Sequence, residues 1–391
     1  MKLKKEHIVI LLIQLTEVLG FSLILPFLPL LAQRFGASPF QIGLIATSFS
    51  LFQFISAPIM GSLSDVYGRR PLLILSQFST LVSFILLGMA NALPLIYISR
   101  IVDGLIGSNH TITQAYISDI TPKKDRSKMF GIMGIAFGVG FLIGPGIGGI
   151  LASYGHALPS FLAAGLVLIS IIGTFFFLPE TVKDKKKFDS QFKNIKIIRF
   201  KEISNVLKDK SVNKILVAYW FFITSTLLLT SNFSIFANIK FGLQEKQIGL
   251  LLTYVGLLQI INRGILLPKA IKLFGESKLI IISLVLLFFG FSGFLFYNTY
   301  LVLIAMAVYS MGSGLLRPLL VGELSRNGDQ TKQGGLLGIK DSLTSLSQIF
   351  APAIGGLFLQ HNLLNELVIF SSFFVVAALY FKLKQRRAEN L

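Results

Sequence analysis

Glu17, Arg100 and Asp103 are ionisable residues set inside long apolar runs, where a charge is expensive and marks a functional site by default. Glu17 sits in Gln14-Leu-Thr-Glu17-Val-Leu-Gly20, and a carboxylate in such a run can take up a proton or hold a cationic compound. Arg100 and Asp103 are spaced i,i+3, so they can pair on one helix face. That pair can serve structure alone or proton coupling. Gln14, Gln53, Asn109, His110, Gln114, Asn232, Gln259, Asn262 and Arg263 interrupt other apolar runs and are candidates to line a cavity. His110 can titrate near neutral pH or be a hydrogen-bonded structural residue. Arg317, Glu323, Lys340 and Asp341 crowd the ends of two further runs, as a salt-bridge gate or a second binding determinant. The chain has no cysteine, and His7, His110, His156 and His361 lie far apart. No metal site is expected, and no nucleotide loop or catalytic triad is present in the sequence. The chemistry expected is therefore binding and proton exchange, not enzymatic turnover, with no cofactor.

The elements that must position these residues follow from composition. Of 391 residues 53% are hydrophobic and 14% charged, against roughly 25% charged in a soluble chain. A span needs about 20 apolar residues. Twelve are expected, at 7–33, 40–62, 71–90, 93–116, 129–151, 159–178, 214–237, 246–267, 277–296, 299–321, 334–357 and 363–383. Short links such as Asn91-Ala92 force neighbouring helices antiparallel. The first run has the basic start of a secretory signal, but it is too long for one and no small-x-small site follows, so it is expected to be a retained span. The fold class is all-α membrane, with the lipid bilayer as its solvent.

The net charge of +18 does not point to nucleic acid, because the basic residues fall in short segments between apolar runs. Arg34, Lys240 and Lys246 lie on one side and Arg100 lies within a span. The rest of the 36 Lys and Arg fall on the other side or at its membrane edge. This asymmetry places both termini and the central loop in the cytoplasm. The basic stretch 181–213 divides the chain into 1–180 and 214–391, six spans each. Within it, Ile195–Leu207 reads as an amphipathic surface helix or as part of a solvated linker.

The halves repeat. Gln41-Ile-Gly-Leu44 returns as Gln247-Ile-Gly-Leu250, and Gln53 as Gln259, both at an offset of 206. Gly68 returns as Gly275 and Pro145 as Pro352, at 207. A near-constant register across five spans indicates two parallel six-helix repeats, the build of a transporter with a central site.

Gly61-Ser-Leu-Ser-Asp65-Val-Tyr-Gly68-Arg69-Arg70 matches the G-x-L-[SA]-D-x-x-G-R-[RK] signature of the major facilitator superfamily, and the chain resembles that family. Gly140 through Gly144-Pro145-Gly-Ile-Gly148-Gly149 is similar to its antiporter motif, and Arg100 with Gly104 and Gly107 to its fourth-span pattern, with Asp103 where Gln or Ser is usual. Glu17 and Ala115-Tyr-Ile-Ser-Asp119 resemble the tetracycline-type exporters, strongly over residues 8–180 and diffusely beyond. The resemblance implies a gate at Asp65, Arg69, Arg70 and Asp119, with Gly61 allowing close helix approach and Gly68 a tight turn. It implies coupling near Glu17, Arg100 and Asp103, and directional packing at Gly140, Gly144, Pro145, Gly148 and Gly149. Arg263 departs from it, since relatives commonly have Gln or a small residue there.

The expected activity is proton-driven export of small amphipathic compounds by alternating access, from a monomer. The alternatives are a proton symporter or uniporter importing a small nutrient, and a non-transporting sensor or scaffold on the same fold.

Overall fold

The computed structural model describes residues 5–122, 125–182, 210–327 and 333–389. The possible surface helix at Ile195–Leu207 lies outside the described residues. The described residues are helical, with no strand. A bilayer leaves no other choice for an open chain, because helices alone satisfy every backbone N–H and C=O within one segment.

The helices are α1 (Lys5–Ile24), α2 (Leu28–Arg34), α3 (Pro39–Tyr67), α4 (Arg69–Gly88), α5 (Leu93–Ile106), α6 (Asn109–Ile120), α7 (Arg126–Ala152), α8 (Ala157–Phe177), α9 (Lys210–Thr230), α10 (Phe233–Phe241), α11 (Glu245–Ile261), α12 (Leu267–Phe274), α13 (Glu276–Ser292), α14 (Thr299–Asn327), α15 (Gln333–Gln360) and α16 (Leu364–Glu389). Among the described residues, eleven continuous or nearly continuous helical segments are long and apolar enough to cross a membrane. The twelfth span is the broken pair α5–α6.

Each break has a local cause. Pro26 denies a donor to the end of α1 and pushes Leu25 out of the helical region, and Pro29 opens α2. Gly107 separates α5 from α6. Its N–H bonds the Asp103 carbonyl at 2.6 Å, and a β-carbon there would collide with that carbonyl and with the Asp103 carboxylate. A five-residue π turn, Asn262–Leu266, joins α11 to α12. Such turns re-aim side chains and often mark functional sites.

The chain forms two compact units. Unit 1 comprises Met1–Ala37, Ser48–Ile197 and Gln244–Thr253; unit 2 comprises Ser38–Thr47, Ile198–Leu243 and Tyr254–Leu391. In unit 1, α1 packs on α7 and α8, and α4 on α5 and α8. In unit 2, α9 packs on α15 and α16, and α13 on α14 and α16, the same pattern one repeat later. Ile10, Ile13, Leu73, Ile112, Tyr116, Met129 and Leu178 form one buried cluster in unit 1; Val212, Ile215, Leu216, Leu324, Leu336 and Ile339 form its smaller counterpart in unit 2.

Glycines set the closest approaches. In unit 1, Gly140, Gly144 and Gly148 lie against Val18, Ser22 and the Leu23 carbonyl of α1, while Gly149 lies against the Glu245 carbonyl and Gly249. In unit 2, Gly355 lies against the Leu228 carbonyl and Gly356 against the Pro39 carbonyl, and Gly43 seats on the Pro352 carbonyl. Within a membrane, such small-residue contacts and packing drive helix association in place of the hydrophobic effect.

Candidate functional site

The break between α5 and α6 does the local positioning. It brings Asp103 to the last turn of α5 and starts α6 at Asn109, with Ser108 Oγ and Ser56 Oγ 3.2 Å apart. Gly104 lets α5 press onto α3, where an added β-carbon would sit 2.7 Å from the Phe49 carbonyl.

From there one hydrogen-bonded chain crosses unit 1. The Asn109 amide donates to Glu17 Oε2 at 2.7 Å and to Thr80 Oγ1 at 3.0 Å. The Thr80 hydroxyl donates to Asp103 Oδ1 at 2.8 Å. The other Asp103 oxygen is 3.6 Å from Arg100 Nη1. Arg100 donates to Ser83 Oγ at 2.6 Å and to Ser99 Oγ at 3.3 Å, and its guanidinium lies 5.6 Å from the centre of the Phe84 ring. Arg100 and Asp103 are buried and so is Asn109. Four helices (α1, α4, α5, α6) thus supply one connected polar path with a carboxylate at each acceptor end. Glu17 Oε1 and Asn109 Oδ1 are buried and have no hydrogen-bond partner among the described residues.

Beside this path, Gln14, His110 and Gln114 form a second ladder. Gln14 Oε1 lies 3.3 Å from His110 Nδ1, and Gln114 Nε2 lies 2.8 Å from His110 Nε2. A neutral imidazole protonated at Nδ1 satisfies both. Gln53 is half-buried on α3 and belongs to neither ladder among the hydrogen bonds described.

At one end of unit 1, Gly68 takes φ +108°, a turn that favours glycine, and serves as N-cap of α4. Arg69 pairs with Asp65, bonds Asp119 Oδ2 at 3.0 Å and Ser64 Oγ at 2.5 Å, and reaches the Gly61 carbonyl. A β-carbon added at Gly61 would meet only an ordinary contact, 3.5 Å from Thr111, so the part of Gly61 here is its carbonyl rather than close helix approach. Arg70 bonds the Phe175 carbonyl and stacks over that ring. The decisive acceptor is Glu180, which sequence reasoning missed. Its carboxylate takes the backbone N–H groups of Arg69 at 2.9 Å and Arg70 at 3.2 Å, and those of Thr181 and Val182. A carboxylate on the positive end of α4 supplies the cap that glycine cannot. The available signal was an acidic residue directly after the sixth span, opposite an uncapped helix start.

In unit 2 the predicted quartet does not form one cluster. Lys340 pairs with its neighbour Asp341 at 2.7 Å. Glu323 pairs with the buried Lys382, which also bonds Gln385 Oε1 at 3.1 Å. Arg317 makes no ion pair among the described residues. Helix spacing placed the four at one end of the unit but did not fix which way each side chain points. Asn232 is buried and spends its amide on the Leu228 carbonyl at 3.0 Å beneath Gly355, a packing role. Gln259 donates to Ser313 Oγ at 3.1 Å and Asn262 to Ser310 Oγ at 3.4 Å, tying the π turn to α14.

Comparison with known proteins agrees with this architecture. A family model described as Major Facilitator Superfamily matches residues 10–269 and 216–391. The chain is 29% identical to a class H tetracycline resistance protein of Pasteurella multocida, over 90% of this chain and 88% of that one. It is 29% identical to multidrug resistance protein 2 of Bacillus subtilis, over 95% and 93%. A D-xylose-proton symporter of known structure shares the fold, with a TM-score of 0.76 at 17% identity over 96% of each chain.

Proposed function

Since the chain belongs to the Major Facilitator Superfamily and is a multi-pass membrane transporter, we propose that it exports small amphipathic, drug-like compounds in exchange for protons. The resistance proteins it is similar to support export over nutrient import. The cytoplasmic membrane of a bacterium is the proposed location, with both termini inside, as the Lys and Arg asymmetry suggests. The proton gradient drives the cycle and no cofactor takes part. The protein works as a monomer of two six-span halves.

The observation that carries this reading is the path Glu17–Asn109–Thr80–Asp103–Arg100. Glu17 can accept a proton on Oε1, the oxygen without a partner, while Oε2 keeps its bond from Asn109. Protonation there cancels a charge in the span and leaves the Asn109 bond in place. The change passes through two shared donors to the Asp103–Arg100 pair, whose strength then depends on whether Glu17 is charged. Arg69, Asp65, Asp119 and Glu180 act as a latch on the α3–α4 turn, breaking and re-forming as the transporter changes its facing state. Gly140, Gly144, Pro145, Gly148 and Gly149 hold α7 against its neighbours through that change.

Purified protein in proteoliposomes tests the direction. Tetracycline or a lipophilic cation is added and internal pH is followed. Proton movement opposite to substrate is the expected result. Movement in the same direction would make the protein a symporter and overturn the export reading.

A further inference from the structure

Unit 2 carries two guanidinium groups that meet no counter-charge among the described residues. Arg263 lies in the π turn and Arg317 on α14, both within membrane-spanning segments and both exposed on the unit. Neither makes an ion pair or side-chain hydrogen bond among the described residues. Four other cations of the unit do have partners. Lys382 has Glu323, Arg326 has Glu276, Lys340 has Asp341, and Lys240 donates to Asn365 Oδ1 at 2.6 Å and to the Leu295 carbonyl.

The two arginines also belong to one place. Arg263 and Arg317 are within electrostatic reach of each other, and the Tyr309 hydroxyl is within reach of both. The framework beneath them is fixed. Gln259 and Asn262 bond Ser313 and Ser310, and Gly314 brings α14 against the side chains of both. Arg263 stands one turn beyond Gln259, and Arg317 one turn beyond Ser313. The Gln259 side-chain oxygen Oε1 is buried and without a partner among the described residues. A guanidinium facing hydrocarbon is costly, so an arginine at this depth must face a water-filled path or a partner. Two of them side by side repel, and a bound anion relieves that repulsion while taking several charge-assisted hydrogen bonds.

We infer that Arg263 and Arg317 form an anion-recognition site in unit 2, taking the carboxylate, sulfonate or phenolate of an amphipathic organic anion or zwitterion. The inference rests on the transporter reading and narrows its substrate class. Glu17 answers the proton in unit 1; the arginine pair answers the negative group of the cargo in unit 2.

Equilibrium binding tests this without proton coupling. The full chain is placed in phosphatidylcholine nanodiscs, and fluorescence polarisation is read with two xanthene dyes, anionic fluorescein and cationic rhodamine 6G. The wild type is expected to prefer fluorescein. Arg263→Gln with Arg317→Gln should weaken fluorescein by about tenfold or more, leave rhodamine unchanged and not lower the melting temperature. Lysine at both positions should restore part of the affinity. Equal binding of the two dyes by the wild type, no binding of fluorescein, or fluorescein binding that survives the double substitution would overturn the inference. So would competition from added phosphatidylglycerol, which would assign the pair to a lipid phosphate. Proton-driven export by Glu17→Gln is a separate assay, so the export reading can fail while anion selectivity stands.

Discussion

In unit 1 the turn into α4 runs Gly68-Arg69, and Arg69 reaches Asp119; in unit 2 the turn into α13 runs Gly275-Glu276, and Glu276 reaches Arg326. The positions correspond at an offset of 207 in every case, and the signs of the charges are exchanged. Gly68 and Gly275 share the backbone, with φ +108° and ψ 150° against φ +70° and ψ 156°. The packing glycines correspond in the same way. Gly148 meets the Leu23 carbonyl as Gly355 meets Leu228, and Gly149 meets Glu245 as Gly356 meets Pro39. The polar interiors do not correspond. Unit 1 links Glu17, Asp103 and Arg100 into one path, whereas unit 2, among the described residues, holds separate pairs and leaves Arg263 and Arg317 open. Duplication has preserved what the backbone needs and left the ionisable side chains free to diverge, because helix packing depends on small residues and ion pairing depends on partners.

The largest effect that can break this comparison is at the buried pair. Arg100→Leu leaves Asp103 without a cation and should cost about 3–5 kcal/mol. The double variant with Asp103→Leu should recover most of it. Thermal unfolding in detergent reads both, and an unchanged single variant would mean that the pair is not a unit. Next, Gly149→Val and Gly356→Val should each lose about 1–3 kcal/mol by overpacking a helix contact. Similar losses would support the repeated packing, and a loss at only one position would sink it. At the turns, Gly68→Ala strains a positive φ and presses the Glu180 carboxylate, while Gly275→Ala strains φ with open space around it. Strain alone is worth about 1–3 kcal/mol, so the melting temperature should drop further for Gly68→Ala. Smallest is Gly134→Ala, where no atom lies near an added β-carbon. It should be neutral or stabilising by up to about 1 kcal/mol, from helix propensity alone.

Much of this was legible in the sequence because it is written in period and register. Span positions follow from apolar length, the repeat from Gln41/Gln247 and Pro145/Pro352, and the family from Gly61–Arg70. Arg100 and Asp103 were readable as a pair because they are one helical turn apart. Glu180 and Lys382 were not, since their partners lie far along the chain, at Arg69 and Glu323. The interruption at Gly107 was hidden because the polar residues that follow it, Asn109, His110 and Gln114, read equally well as the cavity-lining face of one continuous span. Thr80 was missed as the link between Asn109 and Asp103 because a threonine in an apolar helix usually bonds its own backbone, as Thr80 also does toward Ser76.

The central claim is that Glu17 is the proton-responsive end of the path. Substrate-induced proton flux in proteoliposomes, wild type beside Glu17→Gln, tests it most directly. Glutamine keeps an oxygen for Asn109 and cannot titrate. The account predicts that proton flux and uphill export fall to background in the variant while downhill substrate exchange persists. Proton-coupled transport at the wild-type rate in Glu17→Gln would contradict it.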